Sequence, residues 1–161
     1  MRPKVELEGS KVRVLSDYAP TLPPQFRALG GKWDSVSKTW TFDARDEARV
    51  RRVLTEAFGA EGEPVATLRL KIDGLESYPG AELWLGGRLI ARRADRDYPV
   101  RLGDGVIVFE GAFPRRGGSG KHPRLEGSGV VLEIRDVPVS LARAALAKEP
   151  GAYEIMSGFA R

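Results

Sequence analysis

The chain contains no cysteine. Disulfides, thiol nucleophiles and cysteine-ligated zinc are thereby excluded. A single histidine, His122, rules out paired-histidine metal sites and leaves a serine–histidine–acid triad with one base to draw on. No stretch approaches the run of about 18 apolar residues that a membrane-spanning helix requires. The opening Met1-Arg2-Pro3-Lys4-Val5-Glu6 lacks the apolar core of a secretion signal, as expected of a cytoplasmic protein.

What is present describes a folded, modestly basic protein. In 161 residues, 42% hydrophobic side chains are enough for a packed core, in one ordinary domain or two small ones. The formal charge is +4, carried mostly by arginine, whose planar fork suits bidentate phosphate contacts better than lysine does. The charge is unevenly spread. Between Arg88 and Arg124, nine Lys and Arg face four acids, an excess larger than that of the whole chain.

Hydrophobic periodicity orders the first part. Residues 4–8 and 11–15 alternate at period two around Gly9-Ser10, the signature of a hairpin. Thr21-Leu22-Pro23-Pro24 opens a short helix with Leu22, Phe26 and Leu29 on one face, and Gly30-Gly31 stops it. Trp33-Asp34 and residues 38–42 flank Ser35-Val36-Ser37 as a second hairpin, with Trp40 and Phe42 on one face. Asp43 caps a second helix, in which Ala48, Val50, Val53, Leu54, Ala57 and Phe58 recur near a 3.6 period up to Gly59.

Residues 61–64 lose this pattern and read as a linker between a module at 1–60 and a β-rich domain at 65–161. Residues 65–72 alternate. Gly86-Gly87 separates strands at 81–85 and 88–92, and Gly103-Asp104-Gly105 separates strands at 100–102 and 106–110, two expected hairpins. A strand at 130–135, an alanine-rich helix at 140–148 and a last strand at 152–156 follow. The fold class is therefore α+β: a strand-helix-hairpin-helix domain, then a barrel-like or curled sheet with one C-terminal helix. The Gly- and Arg-rich segment 114–124 reads as a mobile loop.

The chemistry concentrates where aromatic rings meet cations. Arg27, Lys32, Trp33, Lys38 and Arg45 surround the second hairpin, and Arg49 and Arg52 follow on the next helix. Stacking rings grip bases while cations neutralise phosphates, so these residues form a candidate nucleic-acid surface. Trp40 and Phe42 are assigned to the core, and Trp33, on the hairpin shoulder, to partial exposure. In the second domain Arg92, Arg93, Arg115, Arg116, Lys121 and Arg124 are the corresponding candidates, the glycines of the loop letting its backbone approach a strand.

Val12, Val14, Tyr18, Leu22, Phe26, Trp33, Asp34, Lys38, Trp40, Phe42, Asp46, Val50 and Leu54 have the spacing of a HARP-type module. Over residues 11–58 the chain resembles this repeat, which accompanies SNF2-type annealing helicases. The resemblance implies binding of DNA at branches or single-to-double-strand junctions, and so favours DNA over RNA. No nucleotide-binding motor is present in this sequence, so only binding, and not remodelling, carries over.

Other motifs give less. Gly120-Lys121 fails as a P-loop, because the earlier glycine position holds Arg115 and the next residue is His122. His122 beside Pro123 in a basic loop reads as solvent-exposed, and Trp84 between Leu83 and Leu85 as core. Glu133 and Asp136, three apart on a strand, are expected to point to opposite faces, which disfavours a two-metal nuclease. The sequence thus points to a non-catalytic nucleic-acid-binding protein of low sequence specificity, without cofactor or metal, accessory to replication or repair. A protein-interaction adaptor whose aromatic hairpin is only core is the alternative, a partner protein in replication or repair is possible under either reading, and a nuclease stands third.

Overall fold

A computed structural model of the chain describes residues 2–77 and 79–156. Strands β1 (Lys4–Glu8) and β2 (Lys11–Leu15) pair antiparallel, Val5 opposite Val14 and Leu7 opposite Val12. Strand β4 (Thr39–Asp43) lies beside β2, and β3 (Lys32–Asp34) beside β4, giving the order β1-β2-β4-β3. Alternation puts Val12, Val14, Trp40 and Phe42 on one face, where all four are buried.

Two helices cover that face. Helix α1 (Leu22–Ala28) starts on its two prolines and buries Leu22 and Phe26. It ends where Gly30, at φ +77°, turns the chain and the Gly31 N–H donates to the Phe26 carbonyl at 2.8 Å. A Cβ on Gly31 would strike the Phe42 ring, so only glycine lets the chain pass there. Asp43 accepts the Arg45 N–H at 2.9 Å, starting a 3₁₀ turn (Ala44–Asp46) that runs into α2 (Glu47–Phe58). Val50, Leu54 and Ala57 of α2 join Phe26, Trp40 and Phe42 in one cluster.

The second part holds two more antiparallel sheets. One has the order β11-β5-β10-β9, from Tyr153–Ile155, Val65–Lys71, Val131–Pro138 and Val106–Glu110. The other has the order β6-β7-β8, from Glu82–Leu85, Arg88–Arg92 and Arg101–Leu102. Helix α3 (Val139–Lys148) packs on the first of them, and Leu68, Leu70, Ile90, Leu132, Ile134 and Ala142 share the second buried cluster.

Two expectations are corrected here. Among the described residues the sheets stay open and form no barrel: β9 and β11 lie at sheet edges, and β8 is only two residues long. The hairpin expected around Gly103-Asp104-Gly105 is a crossover instead. The Gly103 N–H donates to the Ile90 carbonyl at 2.8 Å, keeping β8 on β7, while the Gly105 carbonyl accepts from Arg135 at 2.9 Å, sending β9 to β10. The Arg88 guanidinium ties that corner, donating to the carbonyls of Arg135 at 2.6 Å and of Asp104. The turn itself forms, the Val106 N–H donating to the Gly103 carbonyl at 3.2 Å, but the strands it joins pair in different sheets.

The two clusters meet at the end of α2. The Gly87 N–H donates to the Ala57 carbonyl at 2.7 Å, and Phe58 and Trp84 pack against the first cluster. Residues 61–64 are bonded rather than loose. The Pro64 carbonyl accepts from Val139 at 3.0 Å, and Glu63 accepts the Ser140 N–H at 2.9 Å and its hydroxyl at 2.7 Å, capping α3 from a distance.

Partial desolvation pushes the Glu63 carboxyl up, but the hydrogen bonds from Ser140 and Ala60 together hold it below the ordinary glutamate value. The cap therefore contributes fully above that ordinary value and fades as pH falls through the lower folded value. Glu63→Gln is expected to lose about 0.5–2 kcal/mol of stability at neutral pH. Urea unfolding measured from neutral to acid pH should show the gap to the unaltered protein closing as Glu63 protonates.

Candidate nucleic-acid interface

Trp33 stands opposite Trp40 in the β3–β4 register, and alternation turns both toward the helices. Their ring centroids lie 5.5 Å apart with the planes tilted by 52°. Trp40 is 8% exposed and Trp33 49%, so one indole seals the core and the other leans on it from outside. Phe26 meets Trp40 edge-on at 5.4 Å, and the next residue of α1, Arg27, holds its guanidinium 5.7 Å from the Trp40 ring centroid. That distance is within cation–π range.

These residues line a cleft of about 310 Å³ between the β3–β4 edge and the segment leading into α1. Tyr18, 70% exposed, Asp17, Leu22 and Pro23 form its other wall. An open, mostly apolar trough with a tyrosine, a tryptophan and an arginine at its rim can take a planar group by stacking and leave its charge in water. Tyr18 and Pro23 were not among the site residues expected from sequence. The available signal was that Tyr18 belongs to neither amphipathic pattern, which leaves a large ring without a core position.

The hairpin tip is fixed by Asp34. Hydrogen bonds from the Ser37 hydroxyl at 2.7 Å and the Val36 N–H at 2.9 Å hold the Asp34 carboxyl below the usual carboxylate range. Lys38 then leaves the turn in the left-handed region, at φ +58°, and is exposed. Lys32 is exposed on β3, on the opposite face from Trp33 by alternation. That outer face mixes signs: Arg13 pairs with Glu8 at 3.1 Å, and Lys11 stands in register with Asp43.

Of the cations expected here, Arg27 alone lines the cleft with Trp33. Arg45 is paired with Asp43 at 3.1 Å and Arg49 with Asp46 at 3.4 Å, and Arg52 is exposed on α2. In the second part Arg92 pairs with Glu82 at 3.4 Å and Arg116 with Asp97 at 2.9 Å, while Arg115, Lys121 and Arg124 are exposed.

Arg93 is a correction. It is fully buried, and its guanidinium donates to the carbonyls of Arg124 at 2.7 Å, Tyr98 at 2.7 Å and Pro114 at 2.9 Å. It cannot reach a phosphate. The segment 114–124, expected as a mobile loop, is correspondingly a pinned hairpin: Ser119 and His122 exchange N–H···O bonds at 2.9 and 3.1 Å. Gly117 sits against Arg93, and a Cβ there would run into the Arg124 carbonyl oxygen. His122 is exposed at the tip, as expected. Trp84 is partly buried, not in the core of its own sheet but against the first cluster, its Nε1 donating to Glu82 at 2.9 Å.

Glu133 and Asp136 also depart from expectation. A bulge after Ile134 puts Asp136 at φ +54°, and both carboxylates line one cleft with Arg69. Glu133 is held by two guanidiniums, Arg69 at 3.6 Å and Arg135 at 3.3 Å. Among the described residues no group of three or more His, Asp or Glu is placed to hold a metal ion.

Fold and site together define an α+β protein of three antiparallel sheets with an aromatic cleft carrying Arg27 at its edge. No family model, no curated protein and no solved structure matches this chain.

Because carbonyls lying 21 to 31 residues away converge on one buried side chain, Arg93→Met should destabilise the protein by about 2–4 kcal/mol. Arg93→Lys should recover only part of this, since an ammonium cannot fan its protons across the same plane. Urea unfolding of the three proteins is the measurement.

Proposed function

We propose that this protein binds nucleic acid without acting on it chemically, holding unstacked bases of a single strand or a branch junction in the cleft between Tyr18, Trp33 and Arg27. The observation that carries this reading is the half-exposed Trp33, backed by buried Trp40 and facing an exposed tyrosine across an apolar trough. Every base has a π-face, so stacking of this kind is tolerant of sequence. Arg27 at the cleft supplies one phosphate contact and Lys38, exposed at the tip of the β3–β4 hairpin, a second, whereas Lys32 lies on the opposite face; Arg115, Lys121 and Arg124 are further exposed cations on the second part.

The resemblance of residues 11–58 to the HARP-type repeat supports DNA over RNA, and a role accessory to replication or repair. With that role goes a cytoplasmic location. Among the described residues no helix is long and apolar enough to cross a membrane.

Fluorescence anisotropy with single-stranded, duplex and forked DNA and with RNA tests the proposal. Forked and single-stranded DNA should bind best, with tryptophan quenching. Trp33→Ala is expected to cost ~1–3 kcal/mol of binding while leaving thermal stability nearly unchanged. Arg27→Gln should lower the slope of log affinity against log salt by about one unit. Absence of binding to every oligonucleotide at low salt would overturn the proposal, and a Trp33→Ala protein that only melts earlier would return Trp33 to the core.

A further inference from the structure

Stacking accounts for the rings of the cleft between Tyr18 and Trp33, but not for the acid beside them. Asp17, immediately before Tyr18 in the chain, lines the same cleft and is exposed. Among the lining side chains Asp17 brings a carboxylate and Arg27 a guanidinium. A carboxylate works against a site that takes a polyanion, because like charges a few ångströms apart repel. Its place among the rings makes sense when the ligand turns hydrogen-bond donors toward it, since bonds to a carboxylate are the strong ones.

The size of the cleft narrows the ligand further. About 310 Å³ is the low end for a pocket that encloses a small organic molecule, room for one base and not for a run of them. A single unstacked base that rests its face on Trp33 leaves its edges to the polar groups beside the ring. Donors on that edge are held by the Asp17 carboxylate, and acceptors are repelled.

The four bases differ at this edge. Guanine presents two neighbouring donors, N1–H and the N2 amine, which match the two oxygens of one carboxylate. Cytosine and adenine each present one amine beside a ring nitrogen that is an acceptor. Thymine presents one N–H between two carbonyls.

We propose that the cleft reads guanine, with the Asp17 carboxylate accepting N1–H and the N2 amine of a base stacked on Trp33. This rests on the stacking function proposed for the cleft and adds one base-specific position to it. Arg27 keeps its phosphate contact, so charge and base identity are read by different side chains. The remainder of the bound strand is held without regard to sequence.

The test is fluorescence anisotropy of the full chain with short oligothymidylate strands carrying one central guanine, adenine, cytosine or hypoxanthine. The guanine strand should bind about tenfold tighter than plain oligothymidylate and than the adenine and cytosine strands. Hypoxanthine keeps N1–H and lacks the N2 amine, and should lose most of that advantage. Asp17→Asn should bring the guanine strand down to the level of the others, with the melting temperature unchanged and plain oligothymidylate bound as well or better. Equal binding of all strands, or preference for another base, overturns the guanine assignment and leaves the stacking cleft standing. A guanine preference that survives both hypoxanthine and Asp17→Asn overturns the role of Asp17. No binding to any strand overturns this inference together with the function on which it rests.

Discussion

Phe26 reaches two aromatic rings at once, Trp40 edge-on at 5.4 Å and Phe42 edge-on at 5.2 Å. This contact locks α1 to the sheet, and the rest of the first part depends on it. Each such ring brings about 1.5–3 kcal/mol of burial, and the edge-to-face geometry fixes orientation as well. The same packing sets the cleft. Arg27 follows Phe26, and Trp33 pairs with Trp40, so the rim residues are placed by neighbours that cannot move without opening the core. Gly31, pressed against Phe42, brings the chain from α1 into β3 in the few residues available. A binding surface built this way is rigid at little entropic cost, because its supports are already immobile.

The basic composition has a different meaning in three dimensions. Arg13, Arg45, Arg49 and Arg51 are paired with acids beside them. Arg88 and Arg93 spend their guanidiniums on backbone carbonyls. Much of the arginine charge is thus matched locally, by acids or by carbonyls. If the protein holds nucleic acid, the grip comes from a few rings and few phosphate contacts, which suits a short, exposed, single-stranded element better than the side of a duplex.

The order of elements was legible because it is written in local periods. The alternation in 4–8 and 11–15, the prolines before α1 and the Val50–Leu54–Ala57 spacing each decide structure within a few residues. Exposure of Trp33 beside buried Trp40 followed from the hairpin shoulder. What escaped depends on partners far along the chain. Arg92 and Arg93 are identical in type and adjacent, yet alternation sends one to solvent and one inward, and only carbonyls of later loops can satisfy the second. The strands on either side of the Gly103–Gly105 turn likewise find their partners in different sheets, and Arg88 reaches Arg135 there across 47 residues. At Asp136 a bulge inverted the expected facing, and period-two counting cannot register an inserted residue.

The three tryptophans have three different burdens. Trp40 closes the first cluster, and Trp84 leaves its own sheet to pack against that cluster beside Phe58. Without the second part, Phe58 and the last turn of α2 would face water; without the first, Trp84 would. Each part completes the burial of the other, and indole rings are used wherever a large flat surface must be covered. Trp33 rests part of its ring on Trp40 and leaves the other half in water. A lone exposed apolar residue carries no message, but Trp33 continues into Tyr18 across a trough whose floor is buried Phe26 and Trp40. The molecule buries Trp40 and partly covers Trp84, and leaves more open the ring that has an arginine and a second aromatic beside it. Stability would gain from covering that ring, and its exposure is the observation on which the proposed stacking rests.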